Sequence, residues 1–164
     1  NENEVNEMIS WCGQENYDLT FIETMPMGEI DEDRTNQYLS LSVLKKEIKK
    51  SWTLEETSHK TGGPASYSVI KETGKRIGFI TPLTHNFCES CNRVRLTCTG
   101  KLFMCLGQDD EKDLRSAIRM SEGNDILMSA IDEAIGRKPK GHDFNIDRSG
   151  AAPAVSRHMS VTGG

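Results

Sequence analysis

The sequence contains no apolar run approaching the roughly 18 residues that a membrane-crossing helix requires. No membrane partner is expected. It also lacks a basic, apolar, then small-residue leader at its N-terminus. Positive charge is missing from a long stretch: residues 1–33 hold ten acidic residues and no lysine or arginine, and the net charge is −5. That balance excludes a nonspecific nucleic-acid surface. An even set of cysteines is missing too. Five cannot all pair internally, so reduced thiols or metal ligands are expected, in a cytoplasmic protein. There is no internal repeat and no low-complexity tract. What remains is a chain of 164 residues, 35% hydrophobic and 27% charged. That is enough for one ordinary core with a smaller annex.

The coarse pattern is that of an α/β protein. Val5, Met8, Ile9 and Cys12 recur at helical spacing within 3–14, and the run YDLTFIETMP (17–26) reads as a buried strand ending at Pro26. A second helix is predicted over 41–52, with Leu41, Leu44, Ile48 and Trp52 along one side. Beyond Trp52 the character changes to short strands: WTLEE, then a loop over 58–66, then YSVIKE and RIGFIT joined through Thr73 and Gly74. Helices are predicted over 110–120 and 121–136, the latter with Ile126, Leu127, Ala130, Ile131 and Ala134 as its buried stripe. The tail from 137 to 164 has no clear periodicity. Two regions are therefore expected, 1–52 and 53–164.

Chemistry concentrates in NFCESCNRVRLTCTGKLFMC, residues 86–105, which holds four of the five cysteines. Residues 84–108 carry Arg93, Arg95 and Lys101 against Glu89 alone. A local basic pocket in an acidic chain suits a small anionic ligand better than a polymer. Cys88 and Cys91, two residues apart, are spaced to chelate one ion. A four-cysteine structural zinc knuckle is the plain alternative, and exposed strand charges are the plain reading of the arginines. Turn chemistry discriminates. A two-residue hairpin loop would force the β-branched Thr99 to positive φ, whereas a three-residue loop over 98–100 needs only Gly100 there. The three-residue loop pairs Thr97 with Lys101, Arg95 with Phe103 and Arg93 with Cys105. Cys105 then lies on the arginine face near Cys91, and Cys98 sits at the turn, about 13 Å away along the hairpin. Three thiolates remain, suited to an iron–sulfur cluster with one open iron or to a catalytic zinc with an open position.

These residues also carry a family resemblance. The stretch GFITPLTHNFCESCNRVRLTCTGKLFMCL resembles the C-terminal cluster motif of the radical S-adenosylmethionine (SAM) enzymes that begin molybdenum-cofactor synthesis, the GTP 3′,8-cyclases. FIETMPMGE (21–29), GGPASY (62–67) and RHMSVTGG (157–164) are similar to further marks of that family. The resemblance implies an auxiliary [4Fe–4S] cluster on Cys88, Cys91 and Cys105, with its unligated iron meeting the GTP purine. It implies that Arg93, Val94 and Arg95 contact GTP, that Met25 contacts SAM, and that Gly163 and Gly164 form a tail near the active site. The fold it implies for 1–52 is the last helix–strand units of a partial TIM-type barrel. For 53–164 it implies an α+β region with antiparallel strands and a cluster-bearing hairpin.

The family's N-terminal Cys-x3-Cys-x2-Cys motif has no counterpart here, since Cys12 is the only cysteine before 88. The expectation is the C-terminal part of a longer enzyme, inactive alone, whose second [4Fe–4S] cluster and SAM chemistry lie elsewhere. In the intact enzyme that chemistry takes the ribose 3′ hydrogen of GTP, and the carbon radical closes onto purine C8. The partners implied are GTP, a second copy in a homodimer, and cyclic pyranopterin monophosphate synthase as the next enzyme. None of the named residues is expected to act as acid, base or nucleophile. An auxiliary-cluster domain of a peptide-modifying enzyme is the other alternative. Thr20 stands where some relatives carry an arginine. His85 is a candidate to support the cluster ligands, while His59, His142 and His158 read as structural or exposed, and the GGPA loop as a turn.

Overall fold

A computed structural model describes residues 1–29, 34–85, 87–146 and 153–162. The chain forms two compact units, one made of 1–24 with 37–87 and the other of 25–36 with 88–164. Among the described residues no helix is long and apolar enough to cross a membrane.

The first unit opens with helix α1 (Val5–Gln14) and strand β1 (Leu19–Ile22). The helix stops because Asn16 takes a left-handed φ of 65°. The Tyr17 amide then reaches back to the Cys12 carbonyl at 2.8 Å. Asparagine tolerates that conformation better than most residues. Helix α2 (Leu41–Ser51) and strands β2 (Leu54–Glu56), β3 (Ser66–Ile70) and β4 (Arg76–Ile80) follow. The sheet order is β1-β4-β3-β2. β1 and β4 run parallel, in register from Leu19 with Ile77 to Ile22 with Ile80, and the other neighbours are antiparallel. Val5 and Ile9 from α1 pack with Leu41, Leu44 and Ile48 from α2 against Ile70, Ile77 and Phe79. Each helix therefore buries the stripe its 3.6-residue period puts on one face. Gly78 is required at the centre of the sheet, because a Cβ there would lie 2.7 Å from the Thr20 hydroxyl and 2.9 Å from the Tyr67 ring. The fold is thus mixed α/β with mainly antiparallel pairing. Its one parallel strand pair among the described residues is β1 with β4.

Glu23, just past β1, is 1% exposed and carries no cation partner among the described hydrogen bonds. Its carboxylate accepts from the backbone amides of Leu41 (3.2 Å), Leu83 (2.9 Å) and Thr84 (2.9 Å), and from the Thr84 hydroxyl. It caps α2 in place of Ser40, whose side chain makes no cap bond. Burial alone would raise its pKa. The Thr84 hydroxyl and the three amides outweigh that and hold it below the usual carboxylate range.

The second unit is built on strands β5 (Arg95–Leu96), β6 (Lys101–Phe103) and β7 (Glu111–Asp113), in the antiparallel order β5-β6-β7. Helices α3 (Leu114–Arg119) and α4 (Asp125–Gly136) follow. Leu102, Met104 and Ala134 form its core, with Leu114 against them. Strand β7 replaces the first turn of the helix predicted over 110–120. Its residues complete the open side of β6, pairing Lys101 with Asp113 and Phe103 with Glu111. Asp113 then starts α3 as an N-cap, accepting from the Ser116 amide at 2.9 Å. In α4 the smaller residues Ala130 and Ala134 are buried, whereas Ile126, expected in the stripe, is exposed.

Candidate functional site

The cysteine hairpin has the register that its turn chemistry predicts. Arg95 pairs with Phe103 and Leu96 with Leu102. The Gly100 amide donates to the Thr97 carbonyl at 3.0 Å, and the Thr97 amide to the Lys101 carbonyl at 2.9 Å. Gly100 has φ +84°, and a Cβ on it would lie 2.7 Å from the Arg115 Cβ. Cys98 is exposed at this turn. The strands are shorter than the sequence suggests: the ladder stops at Arg95 and Phe103, so the expected pair of Arg93 with Cys105 is not formed. The Lys138 ammonium takes over there, donating to the carbonyls of Arg93 (2.7 Å) and Met104 (2.6 Å).

The faces of this hairpin are inverted relative to an ordinary surface strand. Val94 and Leu96 are 42% and 61% exposed, while Arg93 and Arg95 are half-buried and Thr97 is buried. Alternation decides which residues share a face, and here the covered face is the one carrying the arginines.

Cys88 opens a short 3-10 turn, Cys88–Ser90, and the Cys91 amide closes it on the Cys88 carbonyl at 3.0 Å. Cys88, Cys91 and Cys105 are all half-buried free thiols. Burial pushes the Cys105 thiol above its ordinary pKa. The Gly107 amide, which donates toward its sulfur, and the Lys138 charge pull the other way, while Cys88 and Cys91 raise it further. Cys88 and Cys91 are thus close enough to act electrostatically on Cys105. Among the described residues, no three His, Cys, Asp or Glu side chains converge closely enough to hold a metal ion. The donor set nevertheless fits a cluster: three soft sulfurs, unpaired in disulfides, with a backbone amide directed at one of them.

The loop after β6 is held from two sides. Arg157 lays its guanidinium 4.4 Å above the Phe103 ring and donates through Nη2 to the carbonyls of Cys105 (3.2 Å), Leu106 (2.6 Å) and Gln108 (2.6 Å). It also pairs with the Asp109 carboxylate. On the other side Gly107 sits so close to His142 and Phe144 that a Cβ would approach them to 2.8 and 2.9 Å. The Gln108 amide donates to the Gly141 carbonyl at 3.2 Å.

Two stretches that are far apart in sequence meet in this unit. Met27 and Val155 form a parallel bridge. Gly28 donates to the Val155 carbonyl at 2.9 Å, and Ala154 to the Pro26 carbonyl at 3.0 Å. Gly28 has φ +78°, and a Cβ would lie 2.8 Å from the His158 ring. Met25, half-buried, enters this stretch; its carbonyl accepts from the Met27 amide at 2.9 Å. Gly163 and Gly164 lie outside the described residues. His85 is in the first unit, on a recess of about 370 Å³ that Lys45, Phe79 and Phe87 also line. His59 bonds Arg76 at 3.0 Å, and Thr20 lies over Gly78.

Lys138, Arg157, Gly107 and Glu23 are not singled out by the sequence. Lys138 and Arg157 bond carbonyls 34 to 52 residues away. No local pattern carries that signal. Glu23 stood inside a recognised motif, and its clue was a carboxylate closing an otherwise apolar strand.

Comparison with known proteins places this geometry in context. The sequence model for Molybdenum Cofactor Synthesis C matches residues 17–144. Over the whole chain, identity is 63% to the GTP 3′,8-cyclase of Mesorhizobium japonicum, 62% to that of Agrobacterium fabrum and 61% to that of Brucella ovis. The chain covers 50%, 47% and 48% of those proteins, so it spans about half the length of the curated relatives it matches. Since the family model covers most of the chain, from β1 through the cysteine hairpin to α4, the protein belongs to the Molybdenum Cofactor Synthesis C family.

Proposed function

We propose that this chain is the C-terminal part of a radical SAM GTP 3′,8-cyclase, the enzyme that converts GTP to (8S)-3′,8-cyclo-7,8-dihydroguanosine 5′-triphosphate in molybdenum-cofactor synthesis. Residues 1–52 are the end of its barrel, and 53–164 its substrate-binding region. Cys88, Cys91 and Cys105 hold an auxiliary [4Fe–4S] cluster with three protein ligands. Such a cluster supplies an open iron as a Lewis-acidic contact for the purine. The chain's own part is positioning and charge. Arg93 and Arg95 offset the negative charge of GTP, and Val94 lies between them. Met25 contacts SAM, which the intact enzyme binds with a second [4Fe–4S] cluster, and Gly163 and Gly164 extend the terminal segment toward the substrate. A held substrate loses little further entropy when it reacts, which is the contribution expected of such a surface. GTP, a second copy of the chain and cyclic pyranopterin monophosphate synthase are its partners, in the cytoplasm.

The observation that carries this reading is the hairpin register. It puts Cys98 at the exposed turn, while Cys88 and Cys91 act electrostatically on Cys105. A four-cysteine structural zinc site would need Cys98 as its fourth ligand. The deciding comparison is Cys98→Ser against Cys105→Ser after anaerobic reconstitution. Iron and sulfide content near that of the parent protein in Cys98→Ser, with severe loss in Cys105→Ser, is expected. Equal loss in both, or one tightly held zinc in the parent, contradicts it.

A further inference from the structure

We propose that Arg157 is a positioning residue that sets the conformation of the Cys105 loop and makes that loop's order depend on docking of the terminal segment 153–162. The inference rests on Cys105 being a cluster ligand only for its consequence, not for its geometry.

The geometry is unusual for an arginine. The side chain is 10% exposed, although burying a guanidinium is costly unless its donors are satisfied. Nη2 faces the carbonyls of Cys105, Leu106 and Gln108, all within 3.2 Å, so one nitrogen gathers the oxygens of a single tight loop. The Phe103 ring supports the cation from below and Asp109 pairs with it at the rim. Nε is buried without a hydrogen-bond partner among the described residues. A surface staple would avoid that unmade bond by turning to water. Here the fork is held in place against it.

Arg157 is also the point where the terminal segment does two things at once. Two residues before it, Val155 bridges Met27, and Gly28 and Glu29 donate to the carbonyls of Val155 and Ser156. One residue after it, His158 occupies the space that glycine at 28 leaves open. The stretch 26–29 and the loop 105–109 therefore share one clamp, carried on 153–158. Free energy that orders one of them is available to order the other, and such coupling is reciprocal. A cluster iron held by Cys105 should tighten the terminal segment, and an undocked segment should loosen that ligand's hold on the iron. Lysine cannot replace arginine here, because one compact ammonium cannot face three loop carbonyls and Asp109 while lying over a ring.

The test compares the parent chain with Arg157→Lys and with Lys112→Met. The latter breaks the Lys112–Glu133 ion pair at 2.5 Å in the same unit and serves as the structural control. Hydrogen exchange in the metal-free full chain reads the loop at the Gly107 amide and the clamp at the Gly28 and Ala154 amides. The β6–β7 ladder amides, in the same unit, report whether its fold persists. Exchange at Gly107, Gly28 and Ala154 is expected to quicken at least tenfold in Arg157→Lys, with the ladder unchanged and Lys112→Met like the parent. In the iron-loaded protein, Arg157→Lys should lose iron to a chelator several-fold faster and show an altered electron paramagnetic resonance signal. Parent-like exchange at Gly107 and Gly28 in Arg157→Lys overturns the proposal, as does the same loosening in Lys112→Met. Failure of the parent chain to take up iron would contradict the cluster instead, and leaves the metal-free exchange contrast decisive for Arg157.

Discussion

A lysine beside a thiol changes both the shape and the charge of a site. Lys138 does so here, holding the carbonyls of Arg93 and Met104 where β5 and β6 stop pairing, with its charge acting on Cys105. Lys138→Met keeps the stem and removes the ammonium, leaving two part-buried carbonyls without their donor. A loss of about 1–3 kcal/mol in urea unfolding is expected, the usual consequence of an unpaired buried polar group. Retained iron after desalting should fall several-fold. Metal ligation also requires deprotonated thiols. Burial raises the Cys105 thiol, so cluster assembly should favour alkaline over neutral buffer, and Lys138→Met should strengthen that preference.

At the scale of elements, two short features do much of the shaping. The left-handed Gly100 fixes the hairpin register, and Gly100→Ala must strain the turn and meet the Arg115 Cβ. A cost of about 1–3 kcal/mol follows, measured as a lower unfolding midpoint. Glu23 ties β1, α2 and the 81–85 turn together through four donated hydrogen bonds. Glu23→Gln keeps the size but cannot accept them all, and about 2–4 kcal/mol should be lost at neutral pH. Because the folded-state pKa of Glu23 is depressed, its stabilisation is fully present above the unfolded value of about 4.3. It disappears as pH falls through the folded value. The stability gap between the parent and Glu23→Gln should therefore close on acidification below about pH 4, and a gap that stays constant would refute this role.

These elements also mark what the sequence could and could not disclose. Helices α1 and α2 were legible because their apolar residues keep a helical period and their partners are simply the sheet. The Gly100 turn was legible because steric rules leave a β-branched residue few choices. Strand β7 was not, since EKD has a helical composition and becomes a strand only because β6 offers an open edge. The Arg157 clamp was not legible either, as its acceptors are backbone carbonyls and carry no sequence signal of their own.

At the scale of the whole molecule, the chain has a mixed α/β first unit and a second unit that gathers the cysteine hairpin, the 25–29 stretch and the terminal segment. It belongs to the Molybdenum Cofactor Synthesis C family and is 61–63% identical to GTP 3′,8-cyclases. On the function proposed for it, the protein should bind GTP through the cluster rather than through phosphate contacts alone. Binding at a hundred times the dissociation constant would add about 2.7 kcal/mol of apparent stability, and Arg93→Ala with Arg95→Ala should remove most of it. The most direct measurement is anaerobic reconstitution of the protein, followed by electron paramagnetic resonance of the reduced cluster during GTP titration. Four irons and four sulfides on Cys88, Cys91 and Cys105 are expected, with a spectrum that shifts with GTP to saturation because an open iron can meet the purine. A single zinc, or an iron cluster whose spectrum ignores GTP, would contradict the proposed function.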